Sequence, residues 1–309
     1  MPWIGASFLT GHLMITQFAR LSSEPPRSYM VHIALPQMIL VSKLMAFCWN
    51  VHDGRIPDTT LSSFQKDRKI TASIFPTPLE FLSYALFFPT MFYGPALDYS
   101  DYRSFINLSM FDTSSSRNTE KSSKKPYFEG KIPSCTWVAF HKIMAGLLWT
   151  FLFFKLAGLC PLDLLLSQQF NEYSFARRIL LVHIFAFTLR INHYGVWALT
   201  EASCIISGIG YNGLEENSKS PRWDRMRNVN ALSIELAQSP HAYIGNWNLN
   251  TCNWLKNYVY LRVTRKGQKP GFQASMITFF YSALWHGFAP GYYVTFVLTG
   301  ILQKIAKGT

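Results

Sequence analysis

The sequence predicts an all-α, polytopic integral membrane protein, and three observations carry that prediction. Of its 309 residues, 49% are hydrophobic and 16% aromatic, whereas 15% are charged; an average soluble domain carries about 25% charge. Apolar runs recur along the chain, several of them near the ~20 residues a helix needs to cross a bilayer. In residues 274–302, finally, the only ionisable side chain apart from tyrosines is His286. A stretch so long and so poor in charge reads as a membrane span.

The elements follow in order. Residues 1–18 are weakly apolar and read as the end of a span or an interfacial helix. A loop with Pro25 and Pro26 comes next. Residues 30–49 match one crossing, with Pro36 and Lys43 inside it. The segment N-V-H-D-G-R at 50–55 reads as a turn, opening a polar stretch that runs to Pro76. Residues 81–93 are short for a crossing and end in Pro89 and Gly94-Pro95, which predicts a re-entrant or broken helix. Residues 112–131, with Ser114, Ser115, Ser116 and four lysines, form a flexible polar loop. Residues 135–159 are a span whose Lys155 can snorkel near its end. Residues 177–209 exceed one span and predict a tilted helix or two helices. In residues 274–302, Gly287, Pro290 and Gly291 predict a kink or break just after His286.

Charge and cysteine usage narrow the function classes. The net charge of +12 is compatible with nucleic acid, but basic connectors between apolar spans point to an anionic membrane face instead. Residues 211–273 hold nine Lys/Arg against four acids, which places them in the cytoplasm by the positive-inside rule. The five cysteines form no C-x-x-C pair, and Cys48, Cys160 and Cys204 read as reduced, space-filling residues. No cleavable signal peptide is expected, because residues 1–20 lack a basic leading region.

Four stretches carry chemistry beyond the spans: A-L-W-H-G-F-A-P-G-Y-Y at 283–293, W-N-L-N-T-C-N-W-L-K-N-Y-V-Y-L-R at 247–262, R-I-N-H-Y-G-V-W at 190–197 and Y-G-P-A-L-D-Y-S-D-Y at 93–102. They resemble the W-H-G-x-x-P-G-Y, W-N-x-x-T-x-x-W-L and R-x-K-Y-Y-x-x-W motifs and the early G-P segment of membrane-bound O-acyltransferases. Within that family the chain is most similar to fungal lysophospholipid acyltransferases. Asn192 and His193 depart from the family's Lys and Tyr. The resemblance implies a single acyltransferase domain over 1–309, incomplete at both ends, whose helices enclose a reaction tunnel. It also implies a multi-pass protein of the endoplasmic reticulum membrane, acting on acyl-CoA and a lysophospholipid. No metal, no permanently bound cofactor and no nucleic acid is expected; acyl-CoA is a co-substrate.

The resemblance assigns His286 and Asn248 as catalytic, and the chemistry fits them. Moving an acyl group from a thioester to an alcohol needs a base for the hydroxyl proton, a role suited to neutral histidine. Burial in an apolar tunnel disfavours the imidazolium. A carboxamide can orient the imidazole or donate to the thioester oxygen as charge develops there. None of the five cysteines stands beside a basic cluster, which favours direct attack over an acyl-enzyme. Candidate substrate-binding residues are Trp247, Thr251, Trp254, Trp285, Glu201, Arg190, Tyr194 and Arg262. For Glu201 a structural hydrogen bond is the competing reading, and for Arg262, which heads a cluster with Arg265, Lys266 and Lys269, a solvated face beside anionic lipid. Acylation of a sterol, a diacylglycerol or a protein is the sibling alternative. A channel or transporter lined by His193, Glu201 and His286 is the alternative of another class, and an inactive scaffold is a third.

Overall fold

A computed structural model describes residues 2–22, 28–112, 132–218, 220–264 and 268–306, with the backbone alone for 28–33. All but the first residue of the polar loop at 112–131 lies outside them, as do Arg265 and Lys266. The described residues are helical and contain no strand, and three helices are long and apolar enough to cross a bilayer: Ala34–Asp53, Thr136–Ala157 and Phe175–Ser207.

Helix α1 (Pro2–Ser22) runs antiparallel to α2 (Ser28–Asp53). Trp3 meets Trp49 edge-on at 5.0 Å near one end, and Leu13 packs with Met38 and Val41 in the middle. Contrary to the turn expected at 50–55, α2 continues through N-V-H-D and stops at Asp53. Its end is tied down: the Asn50 carbonyl accepts from the amides of Gly54 and Ile70, at 3.0 and 2.8 Å. A Cβ at Gly54 would lie 2.0 Å from the Ile70 carbonyl oxygen, so only glycine admits this approach.

Short capped helices fill the polar connector. Ser62 and Gln65 form a capping box on α3 (Ser63–Arg68), and Thr77 and Glu80 form another on α4 (Pro78–Ala85). The helix expected over 81–93 is broken, continuing as α5 (Phe88–Met91) before α6 (Tyr99–Ile106). Lys43, fully buried within α2, donates to the carbonyls of Tyr84 and Ala85 at 2.6 and 3.0 Å. A cation on the last carbonyls of α4 satisfies both partners, which explains a lysine inside an apolar run.

Helix α7 (Thr136–Ala157) is followed by the short α8 (Leu162–Leu165) and α9 (Gln168–Glu172), then by α10 (Phe175–Ser207). Where one tilted helix or two were expected, α10 is a single 33-residue helix, started by a Ser174 cap and ended by Gly208 at φ +96°. Helices α7 and α10 approach through Gly146 and Gly195: a Cβ on the first would meet Leu199 at 2.7 Å, one on the second Thr150 at 2.8 Å.

The region after α10 folds as short pieces: α11 (Ala231–Glu235), α12 (Pro240–Ile244), α13 (Leu249–Leu255), a π-helical turn over Lys256–Tyr260 and α14 (Leu261–Val263). The final apolar stretch is not one kinked span. It is a hairpin of α15 (Phe272–His286) and α16 (Pro290–Ala306). Gly300 lies against Met276 and Phe279, and Tyr293 packs on Phe280 at 5.6 Å, so the two helices double back. Gly287 at φ +123° ends α15, and Pro290 at the first turn of α16 restarts the chain.

One ion pair ties the polar region to α2. Arg262 binds Asp53 with both guanidinium ends, at 2.7 and 2.6 Å; the two side chains are 8% and 0% exposed. Removing one partner of such a buried pair leaves the other charge stranded, a loss of about 3–5 kcal/mol. We expect Asp53→Ala to lower the thermal stability of the detergent-solubilised protein on that scale. Paired replacement by Asp53→Leu and Arg262→Met should recover most of it. Equal melting of Asp53→Ala and the parent protein would contradict this account.

Candidate active site

The site is built at the turn between α15 and α16. There the His286 ring lies among aromatic rings: Trp285 edge-on at 5.0 Å, Tyr292 at 5.3 Å and Phe296 stacked at 5.2 Å. The turn is fixed through its carbonyls by α1. Gln17 Nε2 donates to the Trp285 carbonyl at 3.2 Å, and Arg20 Nη2 donates to the His286 carbonyl at 2.9 Å. The Trp285 indole reaches across to the Met38 carbonyl of α2 at 3.4 Å.

Helix α10 brings a second imidazole. His193 Nδ1 donates to the Leu189 carbonyl at 2.8 Å. Its ring lies 5.3 Å from Trp197 and 5.5 Å from Trp247. Trp247 packs 5.0 Å from Trp197 and 6.0 Å from Tyr194, so the residue before Asn248 is docked on α10.

Asn248 has the left-handed conformation, φ 47° and ψ 52°, which asparagine adopts more readily than most residues. Its backbone is held on both sides: the Leu249 amide donates to the Asn228 carbonyl at 2.8 Å, and the Cys252 amide donates to the Asn248 carbonyl at 2.9 Å. The carboxamide itself has no hydrogen-bond partner among the described residues and leaves its donors and acceptor open. Cys252, one turn further on, donates its thiol to the Trp247 carbonyl at 3.3 Å, and burial pushes that thiol up to about 11. A thiol so held is a poor nucleophile.

The other candidates divide into anchors and paired charges. Trp254 is buried and donates its indole N–H to the Ser42 carbonyl of α2 at 2.8 Å. Thr251 is half-buried in the first turn of α13. Arg190 grips Glu235 at two points, both 2.8 Å, and the Tyr194 hydroxyl donates to the same carboxylate at 2.7 Å. Glu201, 3% exposed, pairs with Lys142 at 2.8 Å and lies 3.7 Å from Arg227. Arg262 holds Asp53, and Lys269 is exposed. A cavity of about 370 Å³ opens beside the Arg262 pair, lined by Trp49, His52, Phe64, Gln65, Asn257 and Gln268 among others. No group of three His, Cys, Asp or Glu among the described residues is placed to hold a metal ion. Gln17, Arg20 and the carboxylates of Asp53 and Glu235 escaped sequence reasoning. They sit outside the aromatic motifs, where no local signal marks them.

Together, the strand-free helical fold of the described residues and the three long apolar helices define an all-α membrane protein, in which His286 and Asn248 are both half-buried. The chain belongs to the membrane-bound O-acyltransferase family, whose model matches residues 25–309. It is 42% identical over its full length to a lysophospholipid acyltransferase of Schizosaccharomyces pombe and 36% identical over 99% of its length to one of Saccharomyces cerevisiae. A human membrane-bound glycerophospholipid O-acyltransferase 2 is 30% identical over 97% of the chain. The chain spans 58% and 50% of the two yeast proteins and 55% of the human one.

Gly287 puts the turn geometry to a test. At φ +123°, a Cβ there would lie 3.1 Å from Gln17 Oε1 and 3.2 Å from Arg20 Nη2, whereas Gly11 on the exposed face of α1 has open space around it. We expect Gly287→Ala to cost roughly 1–3 kcal/mol of stability through backbone strain. Gly11→Ala should be neutral or slightly stabilising. Thermal unfolding of the two variants side by side distinguishes them.

Proposed function

We propose that the protein transfers a fatty acyl group from acyl-CoA to the free hydroxyl of a lysophospholipid in the endoplasmic reticulum membrane. Two observations support this reading: His286 sits at a hairpin turn among aromatic rings, and Asn248 has a fixed backbone and a carboxamide without a partner among the described residues. The substrate class rests on the relatives, which are named lysophospholipid acyltransferases. In this mechanism the acceptor hydroxyl attacks the thioester carbon while its proton passes to His286. A carbon–oxygen bond forms, the carbon–sulfur bond breaks, and the coenzyme leaves as a thiolate that takes the proton back from the imidazolium. Asn248 donates to the thioester oxygen as negative charge builds there. The half-buried, hydrogen-bonded thiol of Cys252, with its pKa raised, argues for direct transfer without an acyl-enzyme.

The test is incubation of membranes holding this chain, in a host stripped of its own activity, with acyl-CoA and a panel of lysolipids, sterols and diacylglycerol. Acylated phospholipid is the expected product; product from a sterol or diacylglycerol alone would overturn the reading. His286→Ala should lower turnover by on the order of 100- to 10,000-fold at unchanged abundance. Asn248→Ala should lower turnover by about 100- to 1,000-fold. A change confined to KM for acyl-CoA would make Asn248 a binding residue instead.

A further inference from the structure

Arg20 stands at the His286 turn with capacity to spare. One Nη2 donates to the His286 carbonyl, and among the described residues its guanidinium has no carboxylate partner. Arg190 and Arg262, by contrast, each meet a carboxylate with two guanidinium nitrogens. Beside it, Gln17, 1% exposed, donates to the Trp285 carbonyl, and its Oε1, an acceptor, has no partner among the described residues. Oε1 and Arg20 Nη2 converge over Gly287, each within 3.2 Å of the point where a Cβ would stand. A half-buried arginine whose guanidinium meets no carboxylate among the described residues has donors open to an arriving anion. The planar guanidinium fork matches phosphate oxygens.

We propose that Arg20 binds the phosphodiester of the acceptor lipid and so registers its free hydroxyl on His286. This rests on the acyl-transfer reading above. Both substrates carry phosphate. The hydroxyl must lie against the His286 ring, however, and Arg20 is bonded to the carbonyl of that same residue. The phosphate within its reach is therefore the one attached next to the reacting glycerol hydroxyl. The coenzyme's phosphates lie at the far end of a long arm from the thioester. Gln17 acts as a positioning residue, holding the turn from the preceding carbonyl.

The test needs no turnover. A diazirine-bearing lysophosphatidylcholine is photocrosslinked to the protein in membranes, and unlabelled lysophosphatidylcholine, monoacylglycerol or coenzyme A is added as competitor. In the wild type, lysophosphatidylcholine should protect about tenfold better than monoacylglycerol, which lacks the phosphate. Arg20→Gln should bring the two within about threefold, and Arg20→Lys, which keeps the charge, should retain most of the preference, at matched abundance. The proposal is overturned if Arg20→Gln keeps the tenfold preference, weakens both competitors equally, or alters protection by coenzyme A alone. It is overturned too if the wild type shows no preference. A chain that binds with this preference yet acylates nothing would remove the proposed reaction and leave the Arg20 assignment standing.

Discussion

The placement of Asn248 depends on the buried Asp53–Arg262 pair, made at the opposite end of the same helical segment. The segment beginning with α13 is short and polar, with too little apolar surface to fix itself. It is seated on α2 at three successive points: the Trp254 indole on the Ser42 carbonyl, the Tyr258 hydroxyl on Asn50, and Arg262 on Asp53. These residues are four apart, and in an α-helix each step of four overshoots a full turn by about 40°. The wider π-helical turn over Lys256–Tyr260 takes back that drift, so all three side chains still face α2. The Tyr258 hydroxyl donates its proton to Asp98, which Arg68 holds at 2.6 Å, extending the same polar lattice to the connector before α6. Charges buried this deeply are tolerable only in pairs, and the pairing sets the register of the segment that carries Asn248.

A different constraint operates on His286. No described carboxylate orients its ring; the surroundings are aromatic, and order is imposed through the backbone by donors on α1. Holding carbonyls leaves the imidazole nitrogens free, which a base needs. It also couples α1 to His286 through a contact of two residues, so disturbing α1 reaches the hairpin turn without touching any aromatic motif.

Much of the architecture was legible because bilayer physics is strict. The spans at 135–159 and 177–209 and the break within 81–93 follow from apolar length and proline placement, and the helices lie where those signals put them. Two features were not legible. The run from Ala274 onward has the length of a span, and nothing local distinguishes a kink from a full reversal; the contacts of Gly300 with Met276 and Phe279 decide it. The end of α2 at Asp53 depends on Arg262, far away in sequence, so N-V-H-D-G-R looked like a turn. At the site, the histidine and asparagine stood out as polar residues in motif-like settings. The partners of Arg190, Glu201 and Arg262 did not, since an ion pair between distant loops leaves no periodic trace. The left-handed backbone of Asn248 was equally silent, although asparagine is among the few residues that tolerate it.

The reversal at Gly287 has a topological consequence. A 15-residue helix rises about 22 Å, short of a ~30 Å hydrocarbon core. A hairpin made of such arms returns the chain to the side it came from, so its two open ends lie together. Lys269, ahead of the first arm, and Lys304, late in the second, are both exposed at that end. The chain therefore enters and leaves the hairpin at the same end, which counts as an even number of passes where one kinked span would count as one.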